Sequence, residues 1–245
     1  MMFKDKLAVV TGASRGIGYA TSVALAREGA HVIAIARTVG SLEALDDDIK
    51  EFGGRCTLVP LDITDYDALD RLGEHIVNEH GVLDILIGNA AILGDITPIS
   101  HLKPKVWSQL LDLNVTANYR LIRSLDPLLR AAENGRAVFV GSSNIARNPQ
   151  HFWGGYAMSK AALECMVKTY ALEVEKSNLR VNILNPGAIR TAMRARAVPG
   201  EDPLTLDTPK DLTPLILKIC SPDFQDNGKI VDYRKFKNGD KNIFF

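Results

Sequence analysis

A rhythm constrains this chain more than any single residue does. Short apolar runs alternate with stretches whose apolar residues recur at helical spacing. A strand that is apolar on both sides must be covered on both sides, and helices with one apolar stripe can do that. The rhythm therefore predicts a parallel sheet with helices on both faces, an α/β architecture. Leu7 to Val10, residues 31 to 36, Cys56 to Leu61, Leu83 to Ile87, Ala137 to Val140, Arg180 to Leu184 and Lys229 to Tyr233 supply about seven strands.

Local signals place the helices between them. The first runs to Glu28 and is ended by Gly29. Ser41 is expected to cap the second, where Leu42, Leu45, Ile49 and Phe52 share a side before Gly53-Gly54 stops it. Thr64 with Asp67 resembles a capping box opening a third helix that carries Leu69, Leu72 and Ile76. A longer helix is expected from about Pro104 to Ala131, another from the region of Tyr156 to about Lys176, and a last one from Thr208-Pro209. Only residues 188 to 208 break the rhythm. With Pro199, Gly200, Pro203 and no clear period, they read as a loop or short helical lid. No repeat, low-complexity tract or linker divides the chain, so one doubly wound domain over residues 1–245 is expected.

Composition excludes some functions. The 29 basic and 29 acidic residues balance, which argues against an electrostatic hold on nucleic acid or anionic membrane and favours a small-molecule substrate. No apolar run approaches the roughly 20 residues of a membrane span. The opening Met1 to Lys6 has no apolar stretch behind it. Cys56, Cys165 and Cys220 lie far apart with no C-x-x-C pair. They read as buried thiols in a reducing compartment, not as bridges or metal ligands, and a cytoplasmic location is expected.

Two stretches carry chemistry. After the first strand, Gly12, Gly16 and Gly18 are spaced G-x-x-x-G-x-G and open a helix. Such a turn brings backbone close to a pyrophosphate at a helix N-terminus, where free N–H groups and the dipole favour anions. The acidic residue that would hold the ribose 2′-OH of NAD at the end of the second strand is absent, and Ala36-Arg37 stands there. Arg37, with Arg15 in the turn, is placed to pair with the 2′-phosphate of NADP; the plainer alternative is two solvated surface arginines.

The second stretch is Gly155-Tyr156-Ala157-Met158-Ser159-Lys160, which sets a phenol and an ammonium on one helical face. A free tyrosine has a pKa of about 10, and a nearby cation favours the phenolate. Tyr156 is thus the candidate general acid/base, with Lys160 tuning it.

Together these motifs make the chain resemble the short-chain dehydrogenase/reductase family over nearly its whole length, with a Rossmann-type fold. Within that family it is similar to an uncharacterised bacterial oxidoreductase branch through Asn185-Pro186-Gly187, Thr191-Ala192-Met193-Arg194 and Glu201-Asp202-Pro203. The resemblance implies that Gly12, Ser14, Arg15, Gly16, Ile17 and Gly18 form the cofactor turn and that Asp62 and Ile63 meet adenine. Asn89-Ala90 matches the structural motif after the fourth strand, and Pro186, Gly187, Ile189 and Thr191 match the segment holding the nicotinamide half. It implies Asn114, Ser143, Tyr156 and Lys160 as the catalytic set, Ser143 by its place thirteen residues before Tyr156 (156 − 143). In those roles Tyr156 supplies the proton, Ser143 binds the carbonyl, Lys160 also reaches the ribose, and Asn114 holds a water leading from Lys160 to solvent. NADP(H) is the implied cofactor, and a dimer or tetramer is implied through the helices near 104–131 and 156–176.

Two positions depart from the family pattern. Ala91 replaces a frequent glycine, and Val231-Asp232-Tyr233-Arg234 lacks the glycine pair that often follows the last strand. The substrate stays open. His151, Phe152, Trp153, Met193, Val198, Leu204 and Leu206 could form an apolar wall or pack ordinarily, and Arg190, Arg194 and Arg196 could meet an acidic group or solvent. A free ketone or aldehyde and a 3-oxoacyl thioester are both compatible with these residues. A non-catalytic dinucleotide sensor is the contrasting expectation; the intact Ser143, Tyr156 and Lys160 argue against it. A sugar-nucleotide epimerase or dehydratase is disfavoured by the glycine spacing and by the short C-terminal part.

Overall fold

A computed structural model describes residues 1–245. Seven strands, β1 (Leu7–Thr11), β2 (His31–Ala36), β3 (Arg55–Pro60), β4 (Ile85–Gly88), β5 (Arg136–Val140), β6 (Arg180–Asn185) and β7 (Ile230–Asp232), form one sheet in the order β3-β2-β1-β4-β5-β6-β7, parallel throughout. The order reverses between β1 and β4, so the crossovers on either side run away from each other and leave a crevice at the strands' carboxyl ends.

Helices α1 (Gly16–Arg27), α2 (Val39–Lys50) and α9 (Pro209–Cys220) cover one face; α3 (Tyr66–His80), α5 (Ala117–Ala131) and α7 (Gly154–Glu173) cover the other. The two cores hold 28 and 26 buried residues, which explains why the strands read as continuous apolar runs and not as alternating ones. Shorter helices α4 (Pro104–Leu111), α6 (Ser143–Arg147), α8 (Ala192–Ala197) and α10 (Tyr233–Lys237) lie between these elements. No helix is long and apolar enough to cross a membrane.

Several expectations are corrected. The helix expected over 104–131 is broken by a π-turn at Asp112–Thr116 between α4 and α5. Helix α2 begins at Val39, so Ser41 lies inside it, because Thr38 already supplies the extended N-cap backbone. Asp65, not Thr64, caps α3 by accepting from the Ala68 N–H; Thr64 instead donates its N–H and hydroxyl to Asp62. Thr208 and Asp211 form the capping box of α9. Of the three cysteines only Cys220 is buried; Cys56 is half-buried and Cys165 is exposed on α7. Past α10 the chain folds back, with the Phe245 N–H donating to the Ile230 carbonyl.

Candidate active site

The carboxyl ends of β1, β2, β4, β5 and β6 open into one cleft of about 1390 Å³. Small-ligand sites usually occupy roughly 300–1,000 Å³, so this volume leaves room for a dinucleotide and a second molecule.

Sterics dictate the glycine turn. Gly12 and Gly16 have φ of +66° and +59°, where a side chain is strained. Gly18 is needed for closeness: a Cβ there would lie 2.3 Å from the Gly12 carbonyl oxygen. For that reason Gly18 does not line the cleft, whereas Gly12, Ser14, Arg15, Gly16 and Ile17 do. Asn89 holds the turn from beneath, its Nδ2 donating to the carbonyls of Thr11 (2.9 Å) and Gly12 (3.3 Å). The Thr11 hydroxyl accepts from the N–H groups of Asn89 and Ala90 and ties β1 to β4. No side chain caps the start of α1, so its first-turn N–H groups are left for an anion. These features fit a dinucleotide pyrophosphate. Ala91 is not among the residues with positive φ, so its backbone takes the substitution for glycine without strain.

At the end of β2 Arg37 lies 3.6 Å from Asp62, an ion pair between an exposed and a half-buried side chain and therefore weak. Burial pushes the Asp62 carboxyl up, but the Thr64 N–H and hydroxyl and the Arg37 charge more than offset this and leave it below its usual range. Ile63 is buried at the same end of the cleft. Beyond β6, Pro186, Gly187, Ile189 and Thr191 all line the cleft, and Thr191 caps α8 by accepting from the Arg194 N–H at 3.2 Å.

Tyr156 and Lys160 stand one turn apart on α7 and both face the cleft. Burial drives the two in opposite directions, because each loses the water that would solvate its charged form. The Tyr156 phenol is pushed up to about 12, with the neighbouring Ser142 hydroxyl working against the rise. The Lys160 ammonium is pushed down to about 8. Its Nζ donates to the Val140 carbonyl at 2.9 Å and stands 5.8 Å from the Tyr156 ring centroid.

One expected site residue points away from the cleft, and another is already engaged by the chain around it. Ser143 is fully buried, its N–H donates to Asn185 Oδ1, and its Oγ, without a hydrogen-bond partner, turns toward Glu164 on α7. Ser142, one residue earlier, is the serine on the cleft wall beside Tyr156. The reason is local: Ser142 is the N-cap of α6 at the mouth of β5, and the first helical turn then rotates Ser143 inward. Spacing to Tyr156 selects between adjacent serines only if the intervening loop has the usual length. A Gly-Ser step directly after a strand was the signal that identifies Ser142.

Asn114 is fully buried in the π-turn and its side chain is already engaged. Its Oδ1 accepts from the Ile92 N–H at 2.9 Å, and its Nδ2 donates to the Ile92 carbonyl at 3.0 Å and to Ser159 Oγ at 2.9 Å. Both amide hydrogens are thereby used, and the Asn114 side chain fastens the segment after β4 to α7. An extra residue in the helical turn is what aims it inward.

The far wall is partly apolar. Trp153, Met193 and Val198 line it, whereas Phe152 and Leu204 are exposed. Above it the segment 188–208 is fastened down. Arg194 grips Glu201 at 2.5 and 2.6 Å, and Arg196 reaches across to the Gly94 carbonyl at 2.8 Å.

The chain is similar to several known proteins. A family model described as short chain dehydrogenase matches residues 6–202. An Escherichia coli K12 protein named uncharacterized oxidoreductase YciK is 39% identical over 225 residues, covering 91% of this chain and 88% of that one. Two similar crystal structures are described as short chain dehydrogenases. One, from Shigella flexneri 2a str. 301 and complexed with NADP, has a TM-score of 0.89 and 37% identity over 95% of this chain and 98% of that one. The other, from Escherichia coli CFT073 and complexed with NADPH, has a TM-score of 0.88 and 37% identity over 94% and 97%. A Thermotoga maritima protein named 3-oxoacyl-[acyl-carrier-protein] reductase FabG is 33% identical over 194 residues, 79% of this chain and 78% of that one.

Proposed function

The chain belongs to the short-chain dehydrogenase/reductase family and is an oxidoreductase; from that premise we propose that it reduces a small carbonyl compound with NADPH, Tyr156 acting as the proton donor. The observation that carries the reading is the pairing of a buried phenol and ammonium, Tyr156 and Lys160, on the wall of a cleft whose other end is a glycine cradle for a pyrophosphate.

Bound in that cleft, the nicotinamide supplies the hydride. The chain's own residues handle the rest. Ser142 donates a hydrogen bond to the carbonyl oxygen, where negative charge develops. Tyr156 hands its proton to that oxygen. With a pKa of about 12 it still carries that proton at neutral pH, as an acid catalyst for reduction must. Lys160 stabilises the phenolate that results and stands within reach of the cofactor ribose. Asn114, through Ile92 and Ser159, keeps the wall of the site in register. The cofactor is held by the turn from Gly12 to Ile17, by Asp62 and Ile63, by Asn89 and Ala90, and by Pro186 to Thr191. Arg37 and Arg15 select the 2′-phosphate.

Two similar structures described as NADP and NADPH complexes support the choice of cofactor. The similarity to a protein named as a 3-oxoacyl-carrier reductase supports a thioester as the specific alternative to a free ketone or aldehyde. Family membership supports assembly into a homo-oligomer, and three unpaired thiols suit a cytoplasmic location. The test is a panel of ketones, aldehydes and 3-oxoacyl thioesters assayed with NADPH and NADH. Turnover of at least one class, faster with NADPH, is expected. Cofactor binding without turnover of any class would favour the sensor instead.

A further inference from the structure

The charge of the cleft does not match the charge of the chain. The sequence is balanced at 29 against 29. Yet six arginines, Arg15, Arg37, Arg190, Arg194, Arg196 and Arg234, line the cleft together with Lys160, against the single carboxylate of Asp62. A cleft lined by one sign concentrates its field on whatever enters. On the proposed reading, Arg15 and Arg37 stand at the cofactor's phosphates and Lys160 at its ribose, which leaves four arginines at the other end.

Two of those four have side-chain partners within the chain. Arg194 is held in a two-point pair by Glu201, and Arg196 is bonded to the Gly94 carbonyl with Asp95 3.9 Å away. The Arg190 side chain has no such partner, and its charge reaches Asp211 at the start of α9 only as a minor addition to the Thr208 bonds. Arg234 has none either. Its side chain forms neither an ion pair nor a hydrogen bond and lies over Gly187, its Nε 3.4 Å from where a Cβ on that glycine would be. Glu201 feels its charge only as a minor addition to that of Arg194.

Topology places this unneutralised cation. Ser142 follows β5, Gly187 follows β6, and Arg234 follows β7, and these three strands are neighbours in register, Val140 beside Leu184 and Asn185 beside Asp232. Adjacent strands are about 4.8 Å apart, so the chain at Arg234 is roughly 10 Å along the sheet edge from the chain at Ser142. An arginine side chain extends over much of that distance.

We propose that Arg234 is a specificity-determining residue and that the substrate is an anionic carbonyl compound whose carboxylate or phosphate pairs with this guanidinium while its carbonyl lies between Ser142 and Tyr156. The inference rests on the reductase reading above and narrows its substrate class. A guanidinium fork matches either anion through two charge-assisted hydrogen bonds.

The test uses matched pairs of one charged and one neutral carbonyl: pyruvate, 4-oxopentanoate and 6-oxoheptanoate, each against its methyl ester, and dihydroxyacetone phosphate against dihydroxyacetone. kcat/KM with saturating NADPH is measured for wild type, Arg234→Gln and Arg234→Lys. Binding of each anion to the protein loaded with NADP⁺ is measured by calorimetry. The wild type is expected to favour the anionic member of at least one pair. Arg234→Gln should erase that preference by about ten- to hundredfold, mostly through KM, and leave the neutral partner and NADPH binding unchanged; Arg234→Lys should recover part of it. Which pair responds distinguishes a carboxylate from a phosphate. Reduction of neutral members as good as that of anionic ones, or an equal loss on both in Arg234→Gln, as a purely structural tether of Arg234 to Glu201 would give, overturns the proposal and leaves the reductase reading standing. Failure to reduce any carbonyl, with no anion bound, removes both.

Discussion

The glycine turn between β1 and α1 and the serine segment between β5 and α7 are both strand-to-helix connections at the carboxyl edge of one sheet, but they are specified in different ways. In the turn the backbone is the functional group. Gly12 and Gly16 are required by positive φ and Gly18 by a 2.3 Å approach that no Cβ survives, so residue type and task coincide at each position. In the serine segment the functional group is a side chain on an ordinary backbone. What matters there is which of two identical residues faces the cleft, and Ser142 does while Ser143 faces Glu164. Function encoded in backbone sterics leaves a residue-type signature; function encoded in side-chain direction depends on the register of the loop around it.

The most disruptive way to probe this contrast is Gly18→Ala. One methyl group has no space beside the Gly12 carbonyl, so the turn must open. NADPH affinity is expected to fall by more than about a hundredfold, with stability reduced by about 1–3 kcal/mol; calorimetric titration and thermal unfolding read the two effects. A variant that binds NADPH as the wild type does would mean that the turn is not a rigid cradle.

Next comes the pair Ser142→Ala and Ser143→Ala. Removing a hydrogen-bond donor from a developing oxyanion costs about 10²–10³ in kcat. That loss is expected for Ser142→Ala, whereas Ser143→Ala removes a hydroxyl that has no partner and should leave kcat within about threefold. The reverse order of losses would restore the serine that the thirteen-residue spacing indicates.

Lys160→Met probes stability. The folded-state pKa of Lys160, about 8, is below its unfolded value of 10.5, so the unfolded chain holds the extra proton between these two pH values. The burial penalty is therefore present in full below pH 8 and is relieved as pH rises toward 10.5. At about 1.4 kcal/mol per pH unit, less about 1 kcal/mol for the lost bond to Val140, Lys160→Met should be about 2 kcal/mol more stable than wild type at pH 7. The advantage should vanish near pH 10 and give way to a deficit of about 1 kcal/mol above pH 10.5. Urea unfolding at pH 7 and pH 10 checks both the sign and the window, and equal stability at pH 7 would mean that the ammonium is better solvated than its burial indicates.

The smallest effect is expected at Arg37, exposed and already weakly paired with Asp62. Arg37→Ala should weaken NADPH binding about tenfold and leave NADH binding unchanged, since one charge-assisted pair contributes about 1.4 kcal/mol or more. Equal losses for both cofactors would remove Arg37 from 2′-phosphate recognition.

The same contrast accounts for what could be read from the sequence. Strand β2 falls at residues 31–36 and the Thr208–Asp211 capping box opens α9, because apolar runs and caps are short-range signals written in residue type. The π-turn at Asp112–Thr116 could not be read that way, since the residues through Ala131 keep helical spacing and the extra residue is stabilised by tertiary bonds from Asn114 to Ile92 and Ser159. Asp65 displaces Thr64 as the cap of α3 for a similar reason: Thr64 is drawn to Asp62, a residue engaged at the cofactor end of the cleft. The place of Arg234 over Gly187 was hidden because it depends on the pairing of β6 with β7, which brings together residues far apart in sequence.

The proposed proton transfer from Tyr156 is the centre of the account, and Tyr156→Phe tests it most directly. The substitution removes the transferable proton and keeps the ring, which packs edge-on against Trp153 at 6.0 Å. Single-turnover reduction of a confirmed carbonyl substrate, followed by loss of NADPH absorbance, should slow by about 10³-fold or more while the NADPH dissociation constant stays within about twofold of wild type. A Tyr156→Phe enzyme that turns over at the wild-type rate would contradict the account.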